Sequence, residues 1–259
     1  MITLNIKGIS FSYKTIKAIE DITFEGKGGE IIGIIGPNGS GKSTLLRCIN
    51  RNLSPQIGTV LLDGTDISKL SRNNIACKFG VVPQNSIINL PFSGMEIVLM
   101  GRYPRIKRYE YKDEDFNIAE EVMKVTGTLE LSNKLFTEMS GGEKQRLIIA
   151  RCLAQEPEVL LLDEPTLHLD IKHQFEIMEF IHHLSREKKL LVIVVSHDIN
   201  LAINYCDKLI LLSDGKIFTA GNVKDVIIPE NLRKVFHVEA KLIKDIEKKS
   251  FYIVFSPLN

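Results

Sequence analysis

Apolar residues recur along this chain with two periods, and the switch from one to the other divides it. In the first stretch they alternate, at Ile2, Leu4 and Ile6, at Ile9 and Phe11, and with Ala18, Ile19 and Ile22 further on. A period of two puts every second side chain on one face, which predicts short antiparallel strands with one buried side. The glycines within 26–29 predict a turn, and Glu30-Ile31-Ile32-Gly33-Ile34-Ile35 predicts a buried strand. Leu45, Leu46 and Ile49 follow with helical spacing, and residues 58–62 predict another strand closed by the Asp63-Gly64 turn.

After Val81-Val82-Pro83-Gln84 the period lengthens. From about residue 86 to residue 155 the spacing is mostly helical. Ser93-Gly94-Met95-Glu96 has the form of a capping box ahead of Ile97, Val98 and Met100. A helix is predicted over 113–126, with Phe116, Ala119, Val122 and Met123 on its apolar face and Gly127 as its stop. A buried strand over 159–162, a helix face at Ile171, Phe175, Met178, Ile181 and Leu184, and a strand over 190–195 then alternate. Strand and amphipathic helix in alternation predict a parallel sheet. Residues 208–212 and 216–219 read as a hairpin around Ser213-Asp214-Gly215, and the tail predicts a short helix after Pro229 and a last hairpin, 238–243 with 251–255.

Composition narrows the class. With 44% hydrophobic and 25% charged residues the chain of 259 is an ordinary globular one, and a net charge of +1 excludes a generally basic nucleic-acid binder, so no nucleic-acid partner is expected. No apolar run approaches the about 20 residues that span a bilayer, and the amino-terminal residues lack a basic segment followed by an apolar one. The expectation is a soluble cytoplasmic chain that acts on a membrane only through another subunit. Cys48, Cys77, Cys152 and Cys206 are widely spaced with no C-x-x-C pair, so no metal or disulfide pattern is read from them.

The candidate chemistry begins at Gly36-Pro37-Asn38-Gly39-Ser40-Gly41-Lys42-Ser43-Thr44, an ungapped G-x-x-x-x-G-K-[ST] between a predicted strand and a predicted helix. Glycines allow backbone N–H groups to turn inward around phosphate oxygens, and the helix offers its positive end to the same anion. Lys42 is then expected to reach the β- and γ-phosphates of ATP, and the Ser43 hydroxyl to ligate Mg²⁺. Asp163 and Glu164 follow a buried strand, where ligands collect in open α/β sheets. Asp163 would hold the Mg²⁺ through its water shell and Glu164 would polarise the attacking water. Ser140-Gly141-Gly142-Glu143 opens another helix, carrying Leu147, Ile148, Ala150 and Leu153, and is a second anion-binding helix end. One ATP needs a single phosphate loop, and a symmetric dimer answers what the second end is for.

Read in order, residues 36–44, Gln84 after an apolar strand, Ser140-Gly141-Gly142-Glu143-Lys144-Gln145-Arg146, Leu162-Asp163-Glu164-Pro165-Thr166 and Ser196-His197-Asp198 resemble the motif series of ABC transporter ATPase subunits over nearly the whole chain. The resemblance implies a P-loop NTPase core in an α/β fold, with a mostly parallel sheet, an amino-terminal antiparallel β layer and a helical insertion. Residues 1–85 would hold the layer and the phosphate loop, 86–155 the helical part with the signature segment, 156–220 the rest of the core and 221–259 a tail. It further implies that Tyr13 stacks on adenine, Gln84 meets Mg²⁺ and the attacking water, and His197 contacts the γ-phosphate. Two copies would pair head to tail, with Ser140, Gly141 and Gly142 of one closing over the ATP held by Lys42 of the other. Met139 and Leu167 depart from the family's usual leucine and small residue; the first is volume-conserving, the second lies near the expected dimer contact.

Met95-Glu96-Ile97-Val98-Leu99-Met100-Gly101-Arg102-Tyr103-Pro104-Arg105 is similar to the insertion segment of importer ATPases for iron siderophores, haem and cobalamin, which implies permease subunits as partners and, through them, a substrate-binding protein. Zinc and manganese importers share much of the segment, an exporter ATPase has the same ATPase motifs, and a soluble ABC ATPase acting on ribosomes or DNA is the reading from another class. The residues alone also allow a helix ending at Gly101 with a solvated basic stretch of Arg102, Arg105, Lys107 and Arg108. In the family the groove between Gln84 and the insertion receives the permease, which implies that residues 86–108 deliver movement.

Overall fold

The alternation at the amino-terminal end folds into strands longer than it predicts. In the computed structural model, which describes residues 2–84, 88, 90–106, 110–167, 169–245 and 250–258, the elements run β1 Thr3–Tyr13, β2 Ile16–Lys27, β3 Ile31–Ile35, α1 Lys42–Ile49, β4 Ile57–Leu62 and β5 Thr65–Asp66. Then come α2 Arg72–Lys78, β6 Phe79–Val82, α3 Gly94–Leu99, α4 Asp113–Val125, α5 Gly141–Leu153, β7 Val159–Asp163 and α6 Ile171–Lys188. The chain closes with β8 Leu191–Val195, α7 Ile199–Tyr205, β9 Lys208–Ser213, β10 Lys216–Asn222, α8 Val223–Val226, α9 Pro229–Phe236, β11 Glu239–Asp245 and β12 Ser250–Ser256. Lys107, Arg108, His168 and the residues directly after Gln84 lie outside the described residues.

Two compact units divide the chain, one of residues 1–69 and 185–259, the other of 70–184. In the first, β2, β1, β4 and β5 form an antiparallel layer in that order. Leu4, Ile6 and Ile9 are all buried although Ile9 breaks the alternation. A shift in register between Ile6 and Ile9, next to Gly8 at φ +59°, absorbs the extra residue, so one long bulged strand takes the place of two short ones. The same unit pairs β3 in parallel with β8 on one side and β9 on the other, and β10 returns antiparallel along β9. Every residue of β3 and of β8 is buried, as strands covered on both faces require. Asp63-Gly64 and Asp214-Gly215 close their hairpins with positive φ at both positions, 48° and 74° in the first and 50° and 77° in the second.

The final hairpin pairs β11 with β12 antiparallel, Leu242 opposite Ile253. Side chains of α7 and α9 tie it down, Arg233 reaching Glu239 at 3.3 Å and Asn200 reaching Ile253. The Asn200 amide on α7 donates from Nδ2 to the Ile253 carbonyl at 3.1 Å and accepts the Ile253 N–H at 2.8 Å.

In the second unit β6 lies parallel to β7, Phe79 opposite Val159 and Val82 opposite Leu162. The capping box of Ser93 and Glu96 forms as the spacing predicts, and α4 ends at Val125 with Thr126 as its cap. Helices α2 and α7 are not among the predicted elements: α2 buries only Ile75 and α7 buries Ile199, Leu201, Ala202 and Ile203, and both are capped, Ser71 accepting from the Asn74 N–H and Asp198 from the Leu201 N–H.

The stretch around Gly101 corrects the idea of a solvated basic segment. Arg102 is 5% exposed, and its guanidinium reaches Asp115 Oδ1 at 2.9 Å, the Ala154 carbonyl at 2.7 Å and Glu156 Oε2 at 2.8 Å. Arg105 donates to the carbonyls of Gln155, Glu156 and Cys77 at 2.6, 2.9 and 3.2 Å. Gly101 packs its backbone so tightly on α5 that a Cβ there would lie 1.9 Å from the Arg151 carbonyl oxygen. Gly101→Ala is therefore expected to cost about 2 kcal/mol or more, since backbone meets backbone and neither can step aside; urea denaturation of the two proteins measures it.

Candidate functional site

The phosphate loop belongs to the first unit and is built by exclusion. Gly36 leaves β3 at φ +151°, where a Cβ would come within 2.2 Å of the Leu212 carbonyl oxygen, so only glycine follows this strand. Gly41 turns at φ +98° against the Ala18 carbonyl, 2.5 Å from where a Cβ would stand, and becomes the cap of α1. That cap makes no side-chain hydrogen bond to the helix, and the first turn carries no acidic residue. The positive end of α1 is thus neither capped by a side chain nor balanced by an acid in its first turn, which favours an anion there.

Lys42 is 6% exposed, and its ammonium curls back onto the loop, donating to the Gly36 carbonyl at 2.9 Å and to the Pro37 carbonyl at 2.8 Å. A buried ammonium that donates to loop carbonyls is placed to meet an incoming phosphate. Ser40 Oγ is buried with no hydrogen-bond partner, one more polar atom aimed into the loop without a protein acceptor. Also in this unit, Tyr13 ends β1 with its ring edge-on to Phe11 at 5.0 Å and 42% exposed, leaving a face open for stacking. His197 is exposed just after β8, between Ser196, whose hydroxyl donates to the Asp198 carbonyl at 2.9 Å, and Asp198, which caps α7.

The second unit brings Gln84 and Glu164 together. The Gln84 Nε2 donates to Glu164 Oε2 at 2.8 Å, across 80 residues of sequence. Asp163 ends the fully buried β7, and Glu164 turns off it with φ +54°, a left-handed conformation that a residue with a Cβ adopts at some cost. Both carboxylates are buried, at 9% and 7% exposure. Leu167 is 37% exposed and donates its N–H to the Glu164 carbonyl at 3.1 Å.

Ser140 and Glu143 open α5 with a reciprocal cap. The Ser140 N–H donates to Glu143 Oε2 at 2.6 Å, and the Glu143 N–H to Ser140 Oγ at 3.3 Å. Gly141 and Gly142 follow, and a Cβ on Gly142 would lie 3.0 Å from the His173 ring. Glu143 also accepts from the Lys134 ammonium at 3.0 Å. The Ser140 N–H first, and then Lys134, hold its carboxyl below the ordinary carboxylate range. Met139 is buried in the place expected of a leucine.

Cysteine plays no part in this arrangement. Burial pushes the Cys48 thiol up to about 12, and raises those of Cys152 and Cys206 as well. Such thiols stay protonated at neutral pH and are poor nucleophiles and poor ligands.

Because the Glu143 carboxyl is depressed in the fold, its stabilising contribution is present above the ordinary carboxylate pKa and is lost as pH falls through the folded value. The stability gap between the native chain and Glu143→Gln is thus expected to be full at pH 7 and to close toward pH 3. Paired denaturation curves over that range measure it.

Residues 19–167 match the family model described as ABC transporter. An uncharacterised ABC transporter ATP-binding protein of Methanocaldococcus jannaschii is 45% identical over 93% of each chain. The cobalamin import ATP-binding protein of Halobacterium salinarum is 34% identical over 99% of this chain, which spans 64% of that protein's length. The ferric enterobactin transport ATP-binding protein of Escherichia coli is 36% identical over 92% of this chain and 88% of its own. Among solved structures, an inward-facing putative metal-chelate type ABC transporter superposes with a TM-score of 0.86 at 27% identity, covering 100% of this chain and 98% of the other. A dimeric ATP-binding cassette with ADP and phosphate gives 0.74 at 31% identity, covering 85% and 98%.

Proposed function

The chain belongs to the ABC transporter family, and from that premise we propose that it is the ATP-hydrolysing subunit of an importer that takes up an iron chelate, such as a siderophore or haem, or cobalamin. The observation that carries the ATPase part is the acid-free end of α1, with no capping side chain, behind a glycine loop on which the buried Lys42 ammonium lies. The importer part is supported by the segment at 95–105 and by the printed functions of the cobalamin and ferric enterobactin relatives. No described helix is long and apolar enough to cross a membrane, so transport would run through separate permease subunits, with this chain on their cytoplasmic face and a substrate-binding protein beyond them.

In this reading the N–H groups from Gly36 through Thr44 surround the phosphates of ATP, and Lys42 exchanges the Gly36 and Pro37 carbonyls for the β- and γ-phosphate oxygens. Pro37 and Asn38 shape the loop, Ser40 finds the acceptor it lacks, and Tyr13 stacks on the adenine ring. Ser43, Gln84 and Asp163 are the groups that would hold Mg²⁺: a hydroxyl, an amide and a carboxylate are the hard oxygen donors that ion takes alongside water and phosphate. When bound, Mg²⁺ neutralises charge on the phosphate oxygens. Glu164 accepts a proton from the attacking water, and the Gln84 amide, donating to Glu164 Oε2, orients that carboxylate and leaves its other lone pairs to accept. His197 steadies the γ-phosphate. Ser140, Gly141, Gly142 and Glu143 act on the ATP of a second copy, in a head-to-tail dimer that ATP closes and hydrolysis opens.

Glu164→Gln is expected to keep ATP affinity within about twofold, lower turnover about a hundredfold or more, and accumulate an ATP-bound dimer. Lys42→Ala should instead weaken nucleotide binding itself. Fluorescent-nucleotide titration, phosphate release and size-exclusion chromatography distinguish the two. Normal turnover in Glu164→Gln would remove that residue as the base.

A further inference from the structure

Two arginines finish helix α5, and neither belongs to it. The carbonyls of Ala154, Gln155 and Glu156, three in succession past the last turn of α5, are taken by Arg102, Arg105 and Arg105 in that order, at 2.7, 2.6 and 2.9 Å. The carbonyls of the last turn are largely met by the backbone of 154–156, and the negative end of the helix makes cations with several directed N–H groups good partners for the carbonyls just beyond it. The same two side chains reach further. Arg102 fixes Asp115, whose other oxygen accepts the Lys112 N–H at the start of α4, and Arg105 holds the Cys77 carbonyl near the end of α2. Gly101, immediately before them, touches the Arg151 carbonyl closely enough to exclude a Cβ.

Between the two arginines the chain turns outward. Tyr103 is 58% exposed, while the Pro104 carbonyl accepts from Asn73 Nδ2 at 2.9 Å. The surface at Tyr103 and the clamp on α5 are therefore parts of one short segment with no slack between them. At its far end α5 carries Ser140, Gly141 and Gly142, and with 13 residues the helix is a rod of about 20 Å.

We propose that Arg102 and Arg105 are positioning residues for ATP hydrolysis: by gripping the trailing carbonyls of α5 they set where Ser140 to Gly142 meets the ATP of the second copy, and pass displacement of Tyr103 to that end. This rests on the dimeric ATPase reading given above. Packing alone explains a folded helical unit, but it does not require that all three carbonyls be held from the one segment that also exposes Tyr103. Arg105 is the better residue to test, because its guanidinium lies at the surface while Arg102 is buried in ion pairs whose loss threatens folding.

The test uses the full chain in a Glu164→Gln background, where ATP accumulates the dimer. Arg105→Met in that background should leave the melting temperature and fluorescent-ATP affinity of the monomer unchanged, yet raise the ATP concentration needed for half-dimerisation at least fivefold. Arg105→Lys keeps the charge but cannot span three carbonyls, so it should not restore the native midpoint. It also replaces Arg105→Met as the decisive variant should the latter melt early. An unchanged dimer midpoint in folded Arg105→Met or Arg105→Lys overturns the positioning role while leaving the ATPase reading intact. If Glu164→Gln alone forms no dimer with ATP, the dimeric reading fails and the proposal falls with it.

Discussion

A strand buried on both faces can carry no charge along its length, and the chemistry of this chain is distributed by that constraint. Strands β3, β7 and β8 have all five residues buried, and only β7 spends its last position on a polar group, Asp163. Polar function must begin where each strand stops. Gly36 follows β3, Glu164 follows β7, and Ser196 with His197 follows β8. An unpaired polar group inside any of these runs would cost several kcal/mol, whereas one residue past the end it meets water or a ligand. The site residues are thus where the hydrophobic strands permit them to be.

That constraint is also why so much was legible from the sequence. Dry strands are written as unbroken apolar runs, so their ends, and the residues exposed there, can be read without coordinates. The capping box at Ser93 and the two Asp-Gly hairpins depend on contacts between residues close in sequence. Local chemistry dictates them, and each folds as its spacing predicts.

What the sequence concealed depends on partners far apart in it. Nothing near Arg102 distinguishes a solvated cation from one sealed against Asp115, Ala154 and Glu156, since two of these lie more than fifty residues away. The Gln84 to Glu164 hydrogen bond spans 80 residues, and the Asn200 to Ile253 pair spans 53. The bulge between Ile6 and Ile9 was hidden for another reason: a single glycine at positive φ resets the register, and alternation on either side reads as two strands. Helix α2 escaped because its cap, not an apolar face, defines it.

The Asn200 contact has a further consequence for the tail. In an antiparallel pair, residues alternate between turning both backbone groups toward the partner strand and turning both away. A single amide that serves the N–H and the carbonyl of Ile253 can only recognise a residue of the outward kind, so it reads β12 in steps of two. A slip of one residue offers it nothing to bond, and a slip of two substitutes Phe251 or Phe255, each bulkier than the isoleucine that is now buried. Asn200 thus keys β12 to α7 at one tooth, and its alignment there is digital.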